Sequence, residues 1–247
     1  MIRNKIYFLS DFHLGIPNHE KSLLREKKIV HFLNHIKSNA KEIYLLGDIF
    51  DFWFEYNKSV PKGFVRLMGK IAELTDDGIK IYFFKGNHDL WTFGYLKKEL
   101  GVKVIDKDLT KIYGGKVFYM HHGDGLGPDE FGFKFLKSIF TSKLCQFMFS
   151  WIHPDIGIRI AQFWAKKSRI ANRIKEDTFN NEKERQISFC RNYLKSKKVD
   201  YFIFGHRHYP IDYKLQHNSR MINLGEWVNF NSYAVFDGLK LELKHYE

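Results

Sequence analysis

Five short apolar runs in this chain each stop abruptly at an Asp, Asn or His. Ile6-Tyr7-Phe8-Leu9 leads to Asp11 and His13, Ile43-Tyr44-Leu45-Leu46 to Gly47-Asp48, and Ile81-Tyr82-Phe83-Phe84 to Gly86-Asn87-His88-Asp89. Val117-Phe118-Tyr119-Met120 leads to His121-His122-Gly123-Asp124, and Tyr201-Phe202-Ile203-Phe204 to Gly205-His206-Arg207-His208. Runs of this composition, bounded by Gly or polar clusters, read as buried strands. In open α/β sheets, ligands gather just beyond the carboxyl ends of such strands. One run ending at Asp or Gly is an ordinary turn. Five with the same chemistry at the same end deliver metal-type side chains to one common edge.

At 247 residues and 44% apolar, the chain can hold one α/β domain over 1–247 with a sizeable core. Cys145 and Cys190 lack metal spacing and read as reduced thiols of a cytosolic protein. The amino terminus reaches Asp11 after a four-residue apolar run, too short for the apolar core of a signal peptide. No stretch of about 20 uncharged apolar residues exists, so nothing is expected to span a membrane.

Charge is concentrated in one place. Between Phe131 and Lys175 there are nine Lys or Arg against the single acid Asp155, so this segment supplies eight of the formal +12. Phe133, Leu136, Phe140, Leu144, Phe147 and Trp151 recur at three- or four-residue steps, which predicts one helix. His153-Pro154 ends it, and a second helical pattern runs from about Asp155 to Lys175. The segment 126–180 therefore reads as a basic, aromatic helical insertion, a lid beside the site. Elsewhere helical patterns at 20–38, 60–77, 95–100 and 182–197 alternate with the strands, as in βα units. Arg220 to Leu224 and Ser232 to Tyr246 read as further strands, with Asp237-Gly238 as a turn.

The candidate ligands are Asp11, His13, Asp48, Asn87, His122, His206 and His208. Carboxylate, amide oxygen and imidazole without thiolate suit Mn²⁺, Fe²⁺ or Zn²⁺, and argue against a structural zinc knot or an all-oxygen calcium site. Seven ligands exceed the needs of one tetrahedral ion. Two divalent ions sharing one carboxylate, about 3.5 to 4 Å apart, fit better.

In order, Asp11-x-His13, Gly47-Asp48-x-x-Asp51, Gly86-Asn87-His88-Asp89, His122-Gly123-Asp124 and Gly205-His206-Arg207-His208 resemble the five blocks of the calcineurin-like metallophosphoesterases. The resemblance implies a four-layer α/β/β/α sandwich. It implies one ion on Asp11, His13 and His208, a second on Asn87, His122 and His206, and Asp48 bridging, with Mn²⁺ as the expected metal. His88 would be the general acid, or would stabilise charge on the leaving group. Asp51 would accept a hydrogen bond from His88 and fix its tautomer. His121 adjoins His122 on a strand and faces the other way, so only His122 is a ligand candidate. Asp124 is expected to support the ligands rather than bind.

Within the family, Asp11-Phe12-His13-Leu14, Gly47-Asp48-Ile49-Phe50-Asp51-Phe52-Trp53 and His122-Gly123-Asp124-Gly125-Leu126 resemble the branch that cleaves UDP-2,3-diacylglucosamine in lipid A biosynthesis. His88 stands where the best-known branch has Arg. A UDP-lipid substrate is therefore implied, with Lys166, Lys167, Arg169 and Arg173 as candidates for phosphate or headgroup, and Asp129 beside them at the insertion's start. A basic amphipathic helix bearing Phe and Trp also suits the inner face of an anionic membrane, which makes a peripheral cytoplasmic protein the expectation. Basic charge with interleaved aromatics suits single-stranded nucleic acid as well, but no second recognition domain or coiled coil accompanies it. A lipid- or nucleotide-binding protein with a degenerate site is the non-enzymatic alternative, against which stands the complete ligand set.

Overall fold

Ile6 and Phe8 face one side of their strand and Tyr7 and Leu9 the other, and all four are buried. A strand covered on both faces must be apolar at successive positions, which explains the unbroken runs. The computed structural model describes residues 3–127, 130–173 and 184–247, and for 165–173 the backbone only.

In chain order the elements are β1 (Lys5–Leu9), α1 (His19–Ile36), β2 (Ala40–Leu45), α2 (Val65–Asp76), β3 (Lys80–Phe84), α3 (Tyr95–Leu100), β4 (Lys103–Ile105), β5 (Leu109–Tyr113) and β6 (Lys116–Met120). Then come α4 (Phe131–Thr141), α5 (Lys143–Ser150), α6 (Pro154–Arg173), α7 (Arg185–Tyr193), β7 (Tyr201–Phe204), β8 (Pro210–Lys214), β9 (Arg220–Leu224), β10 (Ser232–Phe236) and β11 (Leu241–His245). One sheet has the order β11-β10-β1-β2-β3-β4, its β1 to β4 parallel and its β10 and β11 antiparallel. The other has the order β5-β6-β7-β9-β8, with parallel β6, β7 and β9 between antiparallel edges.

The sheets pack face to face. Phe8, Tyr44, Tyr82 and Phe84 of the first meet Phe118, Met120, Ile203 and Ile222 of the second. Ile29, Phe32 and Leu33 of α1 and Leu67, Ile71 and Leu74 of α2 cover the first sheet's outer face, while Ile187 and Cys190 of α7 cover the second's. The result is the four-layer α/β/β/α sandwich that the motifs imply.

Two local expectations are corrected. The single helix expected through Trp151 breaks at Ser142, whose φ −64 and ψ 125 are extended. Thr141 and Ser138 beside it hydrogen-bond backbone carbonyls of their own helix, the competition that weakens Ser and Thr in helix interiors. The helix expected from Val60 starts at Val65, after Pro61, Gly63 and a left-handed Phe64. Strand β4 is only three residues long, and β8 (Pro210–Lys214) opens on Pro and carries Asp212 and Lys214, so neither stands out in sequence.

Among the described residues, the insertion is tied down along one side. Trp91 Nε1 donates to Phe140 O at 2.7 Å, Phe149 sits 4.8 Å from the Trp91 ring and 4.9 Å from Phe54, and Lys137 Nζ meets Asp124 Oδ2 at 2.5 Å. Phe131, Phe135, Phe147, Trp151 and Phe163 are left at 60% exposure or more. Among the described residues no helix is long and apolar enough to cross a membrane.

Candidate metal centre

The parallel strands β1, β2, β3, β6 and β7 all release their loops at one edge, and there the backbone turns sharply. Asp11 (φ 54), His13 (φ 43), Asp48 (φ 53), His206 (φ 68) and His208 (φ 57) are all left-handed. Such conformations cost a non-glycine residue roughly 1 to 3 kcal/mol each and persist at functional sites where surrounding contacts fix them. Gly86 is required for a different reason: a Cβ there would overlap the Asp48 carboxylate and its backbone N.

The seven candidate ligands come together in two linked groups. His13 Nε2 lies 3.0 Å from His208 Nε2 and 3.7 Å from Asp11 Oδ1, and Asp11 Oδ1 is 3.2 Å from His208 Nε2. Asn87 Oδ1 lies 3.2 Å from His122 Nε2 and 2.9 Å from His206 Nδ1. Asp48 Oδ2 stands between the groups, 3.9 Å from His13 Nε2 and 3.4 Å from His122 Nε2. Its partner oxygen Oδ1 accepts the His88 N–H at 2.9 Å, but Oδ2 is buried without a hydrogen-bond partner among the described residues.

These residues fit divalent cations. A buried carboxylate oxygen lacking a donor is costly, and a cation held between it and the imidazoles removes that cost. Burial raises the Asp11 carboxyl, but hydrogen bonds from His13 and His208 hold it below the usual range. Burial pulls His13 down, yet its contacts with Asp11, Asp51 and Asp48 carry it up to about 10. His122 is likewise raised to about 10 by Asp48 against its burial. The carboxylates thus demand positive charge beside them; metal ions would supply it and would leave the imidazoles as neutral ligands. Burial and the neighbouring His122 push His206 down to about 4, which already favours a neutral ring.

Residues 4–210 match the profile of the calcineurin-like phosphoesterases. The chain belongs to the calcineurin-like phosphoesterase family. It is 38% identical to the UDP-2,3-diacylglucosamine hydrolase of Porphyromonas gingivalis, covering 100% of this chain and 99% of that protein. It is 29% identical to the UDP-2,3-diacylglucosamine hydrolase of Vibrio atlanticus, over 98% of each chain. Among solved structures, an archaeal phosphodiesterase shares the fold at a TM-score of 0.50 and 15% identity, with 98% of this chain and 99% of that one covered.

Around this phosphoesterase centre, one expected contact is different. His88 Nδ1 is 2.8 Å from the backbone carbonyl of Asp51, not bonded to its carboxylate, which lies 3.9 Å from His88 and 3.6 Å from His13 Nδ1. The main chain of Asp51 therefore orients His88, while its side chain faces His13. His121 Nδ1 accepts the Gly123 N–H and stands apart from the ligands. Arg207 points to Glu184, its Nε 3.2 Å from Oε1. The backbone positions of Lys166, Lys167, Arg169 and Arg173 lie on α6, and their side chains, like the whole of Asp129, lie outside the described residues.

Asp89 is a supporting residue to which the sequence assigned no role. Its carboxylate accepts the N–H groups of Gly86 (2.7 Å), Ile49 (2.9 Å) and Asp48 (3.3 Å), tying the loop after β2 to the loop after β3. Burial and then the Asp48 charge raise it to about 7. The signal was its place in the Gly86-Asn87-His88-Asp89 block. Gln186 and Asn223 were not visible at all; both donate to Gly205 O, at 2.9 Å and 2.6 Å, and fix the start of the His206 loop.

Proposed function

We propose that this chain is a dinuclear metal-dependent hydrolase that cleaves the diphosphate of UDP-2,3-diacylglucosamine to UMP and 2,3-diacylglucosamine 1-phosphate. The observation that carries the two-ion reading is Asp48 Oδ2, buried, unpartnered and facing both ligand groups. Asp11, His13 and His208 hold one divalent ion, Asn87, His122 and His206 the other, and Asp48 both, with Mn²⁺ the expected metal. When bound, two such ions polarise the phosphoryl oxygens and lower the pKa of a coordinated water. His88, at the edge of the same cluster, is lowered by burial and is set by the Asp51 carbonyl to meet the leaving group.

The lipid reading rests on the full-length likeness to the two hydrolases and on the insertion. Phe133 of α4 lies 6.2 Å from the His206 ring, so the insertion borders the metal centre, while its outward aromatics are free of the core. Residues 126–180 then act as a lid that receives acyl chains. Lys166, Lys167, Arg169, Arg173 and Asp129 serve the phosphate or headgroup, and the outer face rests on the cytoplasmic side of an anionic membrane. The test is hydrolysis by Mn²⁺-loaded protein of UDP-diacylglucosamine, a plain UDP-sugar, a cyclic nucleotide and single-stranded DNA. Selective turnover of the UDP-lipid is expected; preferred cleavage of DNA would replace this reading with a nuclease.

A further inference from the structure

Arg25 belongs to α1, outside every block that supplies metal-type side chains, yet it reaches the first ligand loop. Its Nη2 donates to His13 O at 2.7 Å and to Ile16 O at 2.6 Å. The residue is only 8% exposed, and its Nε has no hydrogen-bond partner among the described residues. A buried guanidinium is costly to keep, and a side chain serving packing alone would be cheaper as an apolar residue. The Glu226 and Asp51 carboxylates support its charge from two other loops.

The loop it touches is one that needs holding. His13 has φ 43, a conformation that an L-residue keeps only when its surroundings fix it. The donor side is fixed by the neighbouring loop, since Asp11, His13 and Leu14 donate their N–H groups to Gly47 O, Asp48 O and Ile49 O. On the acceptor side, Asp11 O takes the Trp227 N–H at 3.1 Å, and His13 O takes Arg25.

We propose that Arg25 is a positioning residue of the metal centre: by clamping the carbonyls of His13 and Ile16, it holds His13 in the left-handed conformation that aims its imidazole at Asp11, Asp48 and His208. The proposal rests on the two-ion reading above. Partners that orient metal ligands typically contribute about 10- to 100-fold in metal affinity.

The experiment titrates Mn²⁺ calorimetrically into metal-free wild type, Arg25→Gln, Arg25→Lys and Glu26→Gln, with circular dichroism to establish folding. Glu26 is the neighbouring buried residue on α1, and its carboxylate accepts the Arg66 and Leu67 N–H groups at 2.8 and 3.0 Å. It therefore controls for loss of α1 stability. Arg25→Gln is expected to weaken one Mn²⁺ by about 10- to 100-fold, with Arg25→Lys recovering part of the loss. Glu26→Gln is expected to lower Tm and leave both affinities unchanged. Wild-type affinities in folded Arg25→Gln, or a loss no greater than that of Glu26→Gln, would overturn the proposal. If Arg25→Gln does not fold, wild-type affinity in Arg25→Lys would overturn it instead. A wild type that binds one ion fails the two-ion reading separately, and Arg25 is then judged on that ion.

Discussion

The Nε2 atoms of His13 and His208 lie 3.0 Å apart although one follows β1 and the other β7, which belong to different sheets. Two ring nitrogens at that distance share a proton or face one cation. The candidate metal centre is thus a joint between the sheets. Bound metal should stabilise their packing, because a ligand that binds only the folded state adds about 2.7 kcal/mol at a hundred times its Kd. Mn²⁺ is expected to raise Tm and chelation to lower it, as differential scanning calorimetry would record. An identical Tm in both states would mean that the groups do not bind the ion.

Asp48→Ala is expected to weaken both ions together, because its Oδ2 is the atom that faces both His13 and His122. Asp11→Ala should chiefly affect one. Metal analysis after Mn²⁺ loading and desalting checks this. Loss of a single ion from Asp48→Ala would remove its bridging role.

His88→Ala should lower turnover by about 10² to 10⁴ while metal content stays close to wild type, as for a group acting on the leaving group. Asp51→Asn should behave differently. Its carboxylate lies nearer His13 than His88, and its backbone carbonyl, which survives the substitution, orients His88. The expected effect is weaker metal binding with His88 still in place. Normal metal affinity with a large loss of turnover would return the carboxylate to the role that the motif implies.

Away from the metal edge, Glu42 bridges the two sheets. Its Oε2 accepts from Tyr44 at 2.8 Å, Tyr113 at 2.5 Å and Lys111 at 3.1 Å. Burial raises its pKa, but these hydrogen bonds outweigh it and hold the carboxyl below the usual range. A folded-state pKa below the unfolded value of about 4.3 means stability that is full above that pH and is lost as pH falls through the folded value. Glu42→Gln should cost about 1.5 to 3 kcal/mol near neutral pH and flatten the acid limb of the stability curve. Urea melts from pH 7 to 3 measure both; parallel wild-type and variant curves would mean that folding does not lower the Glu42 pKa.

What the sequence disclosed follows from how local each signal is. Both-face burial forces unbroken apolar runs, so β1, β2, β3, β6 and β7 and the residues at their ends were legible directly. The break at Ser142 was not, because Phe140 and Leu144 continue the apolar period across it while the change lies in one backbone ψ. Arg25 was equally hidden: an Arg in a helix full of charged residues looks solvent-facing until the His13 carbonyl comes to meet it. Asp51 shows a third case, since a motif specifies that two residues meet but not whether main chain or side chain makes the contact.

The insertion provides the test of substrate class. Phe147 and Trp151 are 60% and 78% exposed and pack against each other with ring centroids 6.0 Å apart. Replacing both with Ser should therefore change stability by only about 0.5 kcal/mol or less, as is usual for surface positions. If they receive acyl chains, each methylene they shelter contributes about 0.8 kcal/mol to binding. Wild type should then prefer diacylated UDP-glucosamine over plain UDP-glucosamine in kcat/KM by orders of magnitude, and the double variant should lose much of that preference with its turnover of the plain substrate intact. Vesicles containing anionic lipid should also retain the wild type more than the variant, separating membrane contact from acyl-chain capture. An unchanged preference in the double variant would mean that these rings do not touch the lipid, and near-equal kcat/KM values in the wild type would reassign the site to a nucleotide substrate without acyl chains.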